Sequence, residues 1–110
     1  MIYLASPYSD PDPMVRKGRY HLALFYTGRR MRKGERIFSP IVYSHYLALN
    51  HELPKDFDWW REFDEAMIRA CPGFRVLCIP GWQESRGVQA EIALASNLGR
   101  EIEYIEWSTP

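Results

Sequence analysis

The chain has 110 residues, and its 14 Lys and Arg balance 14 Asp and Glu, for a formal net charge of zero. A neutral chain of this length supports one modest core and projects no general field toward nucleic-acid polymers or anionic membranes. Its two cysteines lack metal-ligand and redox spacing, and no apolar run is long enough to cross a bilayer, which argues against a zinc module, a disulfide scaffold and a membrane span.

The whole of 1–110 therefore reads as one domain, soluble and cytoplasmic, with no bound metal or cofactor expected. The apolar start is too short for a signal peptide and has no basic lead-in. The aromatic share (4 Trp, 7 Tyr, 5 Phe) is generous, enough to line a pocket or a subunit interface as well as a core.

Ile2-Tyr3-Leu4-Ala5 is a short apolar run stopped by Ser6-Pro7, the signature of a buried strand. Helical spacing follows from about Met14 to Lys33, with Val15, Leu22, Phe25, Tyr26 and Met31 on the expected inner side. Gly34 ends it. The basic run Arg29, Arg30, Arg32, Lys33 and Arg36 suits a solvated helix C-terminus. Arg36-Ile37-Phe38 predicts a second strand, closed by Ser39-Pro40. Residues 41–50 are aromatic and ambiguous, with a short helix as one reading.

Asp56 or Asp58 can cap a helix running through Ala70, with Trp60, Phe63, Met67 and Ala70 at helical spacing. Arg75 to Ile79 is the clearest strand, stopped by Pro80-Gly81. A helix from about Gly87 to Leu98 comes next, with Ser85 near its N-cap and Gly99 beyond its end. Ile102 to Ile105 supplies the last strand. Strands alternating with helices predict an α/β, flavodoxin-like (Rossmann-like) three-layer sandwich around a small parallel sheet of four to five strands. In such folds ligands bind past the carboxyl ends of the strands, so Ser6-Pro7-Tyr8, Ser39-Pro40 and the segment from Gly81 to Gly87 should meet.

Two acids interrupt apolar patterns. Glu91 borders the stripe Val88, Ile92, Ala95 and Leu98, and on spacing alone it serves equally well as a surface partner of the helix dipole. Asp64 borders the face of Trp60 and Met67, and alone it reads as a solvated helix acid. Together, each near a strand end, they suggest the paired carboxylates used for chemistry at an acetal-like carbon. Ser85-Arg86-Gly87 adds a hydroxyl, a cation and a glycine at a helix start, suited to a phosphate or sugar hydroxyl.

Ile2-Tyr3-Leu4-Ala5, Asp64 in a mid-chain helix, and Ser85-x-Gly87-Val88-x-x-Glu91 after a strand resemble the nucleoside 2-deoxyribosyltransferase superfamily over residues 2 to about 105. The Ser-x-Gly-Val-x-x-Glu spacing is especially similar to its 2′-deoxynucleoside 5′-phosphate N-hydrolase branch. The resemblance implies cleavage of an N-glycosidic bond in a small-molecule nucleoside or nucleotide by a homodimer or homotetramer. It makes Glu91 the nucleophile, Asp64 the group that assists proton transfer to the leaving base, and Tyr3 the hydroxyl that orients Glu91.

Ser85 would hold the 5′ end of the sugar beside Gly87 and Ser6, and Arg86 or the basic run from Arg29 would supply charge for a phosphate. Tyr8 is a candidate to stack on a base. His45 reads as a packed or surface histidine, or as a pocket residue. Hydrolysis is favoured over deoxyribosyl transfer, and a silent nucleotide-sensing module is the rival from another class.

Overall fold

A computed structural model describes residues 1–107. Its elements run β1 (Ile2–Ala5), α1 (Pro13–Arg32), β2 (Ile37–Phe38), α2 (Pro40–His51), α3 (Phe57–Ala70), β3 (Gly73–Cys78), α4 (Arg86–Asn97) and β4 (Ile102–Glu106). Each helix starts on a local signal. Asp12, Ser39, Asp56 and Ser85 accept a hydrogen bond from a backbone N–H of the first turn, and a proline follows the cap in α1 and α2.

The four strands form one all-parallel sheet in the order β2-β1-β3-β4. Successive residues of a strand point to opposite faces, so each strand feeds two cores. On one face Tyr3, Ala5, Phe74 and Val76 pack with Ile68 of α3 and with Val88 and Ala95 of α4. On the other, Leu4, Ile37, Leu77 and Ile79 pack with Leu22 and Tyr26 of α1. This is the flavodoxin-like three-layer arrangement, and strand order reverses between β1 and β3. No helix among the described residues is long and apolar enough to cross a membrane.

The ambiguous stretch 41–50 is a full helix, α2, whose start is the Ser39-Pro40 pair that otherwise reads only as a turn. The inner side of α1 also differs from the expectation. Tyr20, Ala23 and Thr27 are buried, while Phe25 and Met31 are each 54% exposed. Ala23 and Thr27 at the line of contact let α1 approach its neighbours closely, and Phe25 and Met31 turn outward.

β3 carries a cation on its inner side. Arg75 donates to Glu103 at 3.0 Å and to the Tyr26 hydroxyl at 3.2 Å, and it also bonds Glu35, which Arg30 holds from the other side. The Arg75 side chain is 12% exposed and that of Glu35 23%. The Arg75 and Arg30 guanidiniums hold the Glu35 carboxyl down at about 2. A depressed carboxyl stabilises the fold above its ordinary range, and that stabilisation is lost as pH falls from about 4.5 toward 2. Glu35→Gln is expected to lower stability by about 1–2 kcal/mol at neutral pH, and the gap from wild type should close toward pH ~2, in urea melts over that range. A gap that stays constant with pH rejects the ion-pair origin.

Candidate active site

The reversal between β1 and β3 leaves a crevice at the carboxyl edge of the sheet. A hollow of about 340 Å³ opens there, within the size range of small-molecule sites. The β1–α1 loop contributes Ser6, Tyr8 and Ser9, α2 contributes Pro40, Ile41 and Ser44, and the start of α4 contributes Ser85 to Val88. The loop and first turn of α3 add Lys55, Phe57 and Trp60. Asp64 and Glu91 complete the wall.

Both acids sit at the centre of a helix's buried face rather than at its border. Asp64 is 7% exposed and Glu91 6%, so neither is the solvated or surface acid that spacing alone allowed. Glu91 is the sixth residue of α4, and the helix carries no acid in its first turn, so pairing with the N-terminal dipole does not explain it. What holds it is Tyr3. The hydroxyl of Tyr3, itself fully buried on β1, donates to Glu91 Oε2 at 2.9 Å. Tyr3 itself is fixed by stacking on Phe74, its register partner on β3, with centroids 5.7 Å apart and an interplanar angle of 4°. A tyrosine on the sheet thus reaches up behind a glutamate on the covering helix.

Asp64 lies against Glu91, and two buried carboxyls that close cannot both ionise easily. Burial pushes the Asp64 carboxyl up to about 6. Burial first, and then the neighbouring Asp64, drive Glu91 well above the usual carboxylate range, against the opposing pull of the Tyr3 hydroxyl. Burial therefore favours the protonated form of both carboxyls, most strongly that of Glu91. Desolvation outweighs the single hydrogen bond.

Two buried polar atoms on the wall, Ser6 Oγ and Asp64 Oδ1, have no hydrogen-bond partner among the described residues. Both are free to meet a ligand. Ser85 is taken as the cap of α4, its Oγ accepting from the Val88 N–H at 3.2 Å. Gly87 matters for its lack of a side chain, since a Cβ there would stand 3.1 Å from Phe57 Cδ1. Phe57 packs over the helix start, and Gly87 admits it.

Some expected contributors are placed elsewhere. His45 is 4% exposed and lies behind Tyr8, outside the wall. Arg86 reaches the mouth but pairs with Asp58 at 2.9 Å, both of them exposed. The basic run from Arg29 ends α1 at the opposite, amino edge of the sheet and cannot serve this hollow. Gly81 is also off the wall, occupied by the Arg19 guanidinium. Sequence reasoning missed Lys55, Phe57 and Trp60 as wall residues. The available signal was that the helix bearing Asp64 must begin at the same rim as Ser85. A second, smaller hollow between α3 and α4 shares Phe57, Asp64 and Glu91 with the first.

Among the described residues no cluster of three or more His, Cys, Asp or Glu side chains is arranged to hold a metal ion. The sequence has no match among curated proteins. It does match one family model over residues 1–107, described as a domain of unknown function (DUF1937), and the chain belongs to that family.

Proposed function

We propose that the protein cleaves the N-glycosidic bond of a nucleoside or nucleotide, with water as the usual acceptor. One observation carries this reading. Two buried, neighbouring carboxyls, one of them held by a tyrosine hydroxyl, form part of the wall of a hollow at the switch point of a parallel sheet. The sequence resemblance to deoxyribosyltransferase-type enzymes agrees with it.

In this reading the reactive form carries the charge on Glu91, where the Tyr3 hydroxyl stabilises it, and the proton on Asp64. Burial favours the proton on Glu91 in the empty site, so the proton passes to Asp64 as the reactive form is reached. A Glu91 oxygen attacks the anomeric carbon as the bond from that carbon to the base nitrogen breaks, and the Asp64 proton passes to the departing base. The Asp64 carboxylate then takes a proton from water, whose oxygen attacks the same carbon. The ester bond to Glu91 breaks, and the free sugar leaves. Oxocarbenium character in both steps is stabilised by the carboxylate charge inside a water-poor site.

Ser6 supplies an unpaired hydroxyl toward the sugar, and Tyr8, Phe57 and Trp60 offer apolar walls for a flat base. The same reading carries homo-oligomerisation, with exposed Tyr43, Trp59 and Phe63 as surface for a second copy.

The test is incubation with a panel of nucleosides, nucleotides and dinucleotides, followed by chromatography for free base. Release of base from at least one class is the expected result. A second free base in the mixture separates the alternatives, because a new nucleoside marks transfer whereas free sugar marks hydrolysis. Ligand binding without any release of base would make the site a sensor.

A further inference from the structure

We propose that His45 is a positioning residue, which acts through Tyr8 to hold an aromatic wall against which the heterocyclic base of the substrate stacks. The inference rests on the glycosidic reading of the hollow and assigns a role to a residue that does not touch it.

Tyr8 belongs to the loop between β1 and α1, lines the hollow, and is half-buried. A loop residue at this rim would ordinarily be among the more mobile parts of the fold. Three contacts prevent that here. The Tyr8 hydroxyl lies 2.7 Å from His45 Nδ1. The Arg19 guanidinium donates to the carbonyl oxygens of Tyr8 at 3.4 Å and Ser9 at 2.9 Å. Arg19 in turn fits over Gly81, whose φ of +94° and missing Cβ leave room for it.

His45 is itself immobile. Its ring stacks on Tyr20 of α1, with centroids 4.2 Å apart and an interplanar angle of 17°, and Tyr46 meets it edge-on at 4.9 Å. At 4% exposure it is sealed from solvent and is absent from the wall, so a direct contact with substrate is not its part. Burial, and then the neighbouring His21, Arg16, Lys17 and Lys55, favour its neutral form. A neutral ring closes the bond in either tautomer, accepting from the Tyr8 hydroxyl or donating to it. The sequence α1–Tyr20–His45–Tyr8–hollow is therefore a continuous rigid path from the scaffold to the wall. A stacking surface fixed in advance spares the binding step the cost of ordering it.

The experiment is a double-mutant cycle with a purine deoxynucleoside 5′-monophosphate as the probe. Tyr8→Phe keeps the ring and loses the tether, whereas His45→Phe keeps the stack on Tyr20 and loses Nδ1. Each is expected to raise KM about tenfold, with a smaller loss in kcat, and the double variant should be no worse than either single one. His45→Asn, which restores an acceptor, should recover part of the loss.

If His45→Phe fails to fold, Tyr8→Phe against His45→Asn carries the comparison. Additive effects, or single variants with wild-type KM, overturn the role of His45 while base release by the wild type leaves the glycosidic reading intact. No base release from any panel member by the wild type removes both.

Discussion

Replacing Glu91 with glutamine is expected to lower the rate of base release by about 10³-fold or more while leaving a folded, more heat-resistant protein. The swap is nearly isosteric, and the Tyr3 hydroxyl still finds an oxygen acceptor at 2.9 Å, so the packing of α4 on the sheet should persist. What disappears is the charge that would attack or stabilise the anomeric carbon. The same change relieves Asp64 of a neighbouring carboxylate in a buried setting, which should raise stability at neutral pH by about 1–3 kcal/mol.

Loss of activity with a gain in melting temperature is the combination that separates a functional acid from a structural one. Chromatography of released base and a thermal melt of the same preparation read both. Turnover within about tenfold of wild type would place the nucleophile elsewhere. A drop in melting temperature would mean that Glu91 is there for the fold.

Most of the architecture was legible because parallel strands buried on both faces write themselves as short apolar runs, as in Ile2–Ala5 and in Val76, Leu77 and Cys78, where the expected strand from Arg75 to Ile79 overlaps the observed Gly73–Cys78. The helix starts were legible from Asp56 and Ser85, which cap α3 and α4. Less was legible where large apolar side chains face outward. Tyr43, Tyr46, Leu47 and Leu49 of α2 are exposed while His45 and Ala48 are buried, so periodicity in 41–50 points the wrong way.

The site followed the same logic in reverse. Asp64 and Glu91 occupy core positions of their helices, and a pattern that treats acids as surface residues can only set them at the border of an apolar stripe. Their nearness, and the raised pKa of each, depend on how α3 packs beside α4. That packing is a tertiary fact that no local spacing encodes. The role of Tyr8 as a tethered wall was hidden for a similar reason, since its partner lies 37 residues away on α2.

Asp64→Asn tests the raised Asp64 carboxyl directly. In the wild type, burial raises the Asp64 carboxyl from its ordinary 3.8 to about 6, so the folded state binds the proton more tightly than the unfolded chain does. The sign follows: this group favours the fold most below about pH 4, and stability declines as pH rises through about 6, by at most about 3 kcal/mol. In Asp64→Asn the part of the decline that Asp64 contributes should vanish from a series of denaturant melts, leaving the part that the raised Glu91 carboxyl contributes.

Catalysis should change in parallel. In the proposed mechanism the protonated acid delivers a proton to the leaving base, so wild-type turnover is expected to fall as pH rises past about 6. The variant should lose about 10²-fold in kcat together with that limb of the profile. A deoxyribosyl substrate whose leaving group departs without protonation should be cleaved by the variant at close to the wild-type rate, because the missing proton is no longer needed. A limb that survives in Asp64→Asn would assign the titration to another group. Equal losses on both kinds of substrate would make Asp64 a contact for the sugar rather than the acid of the pair.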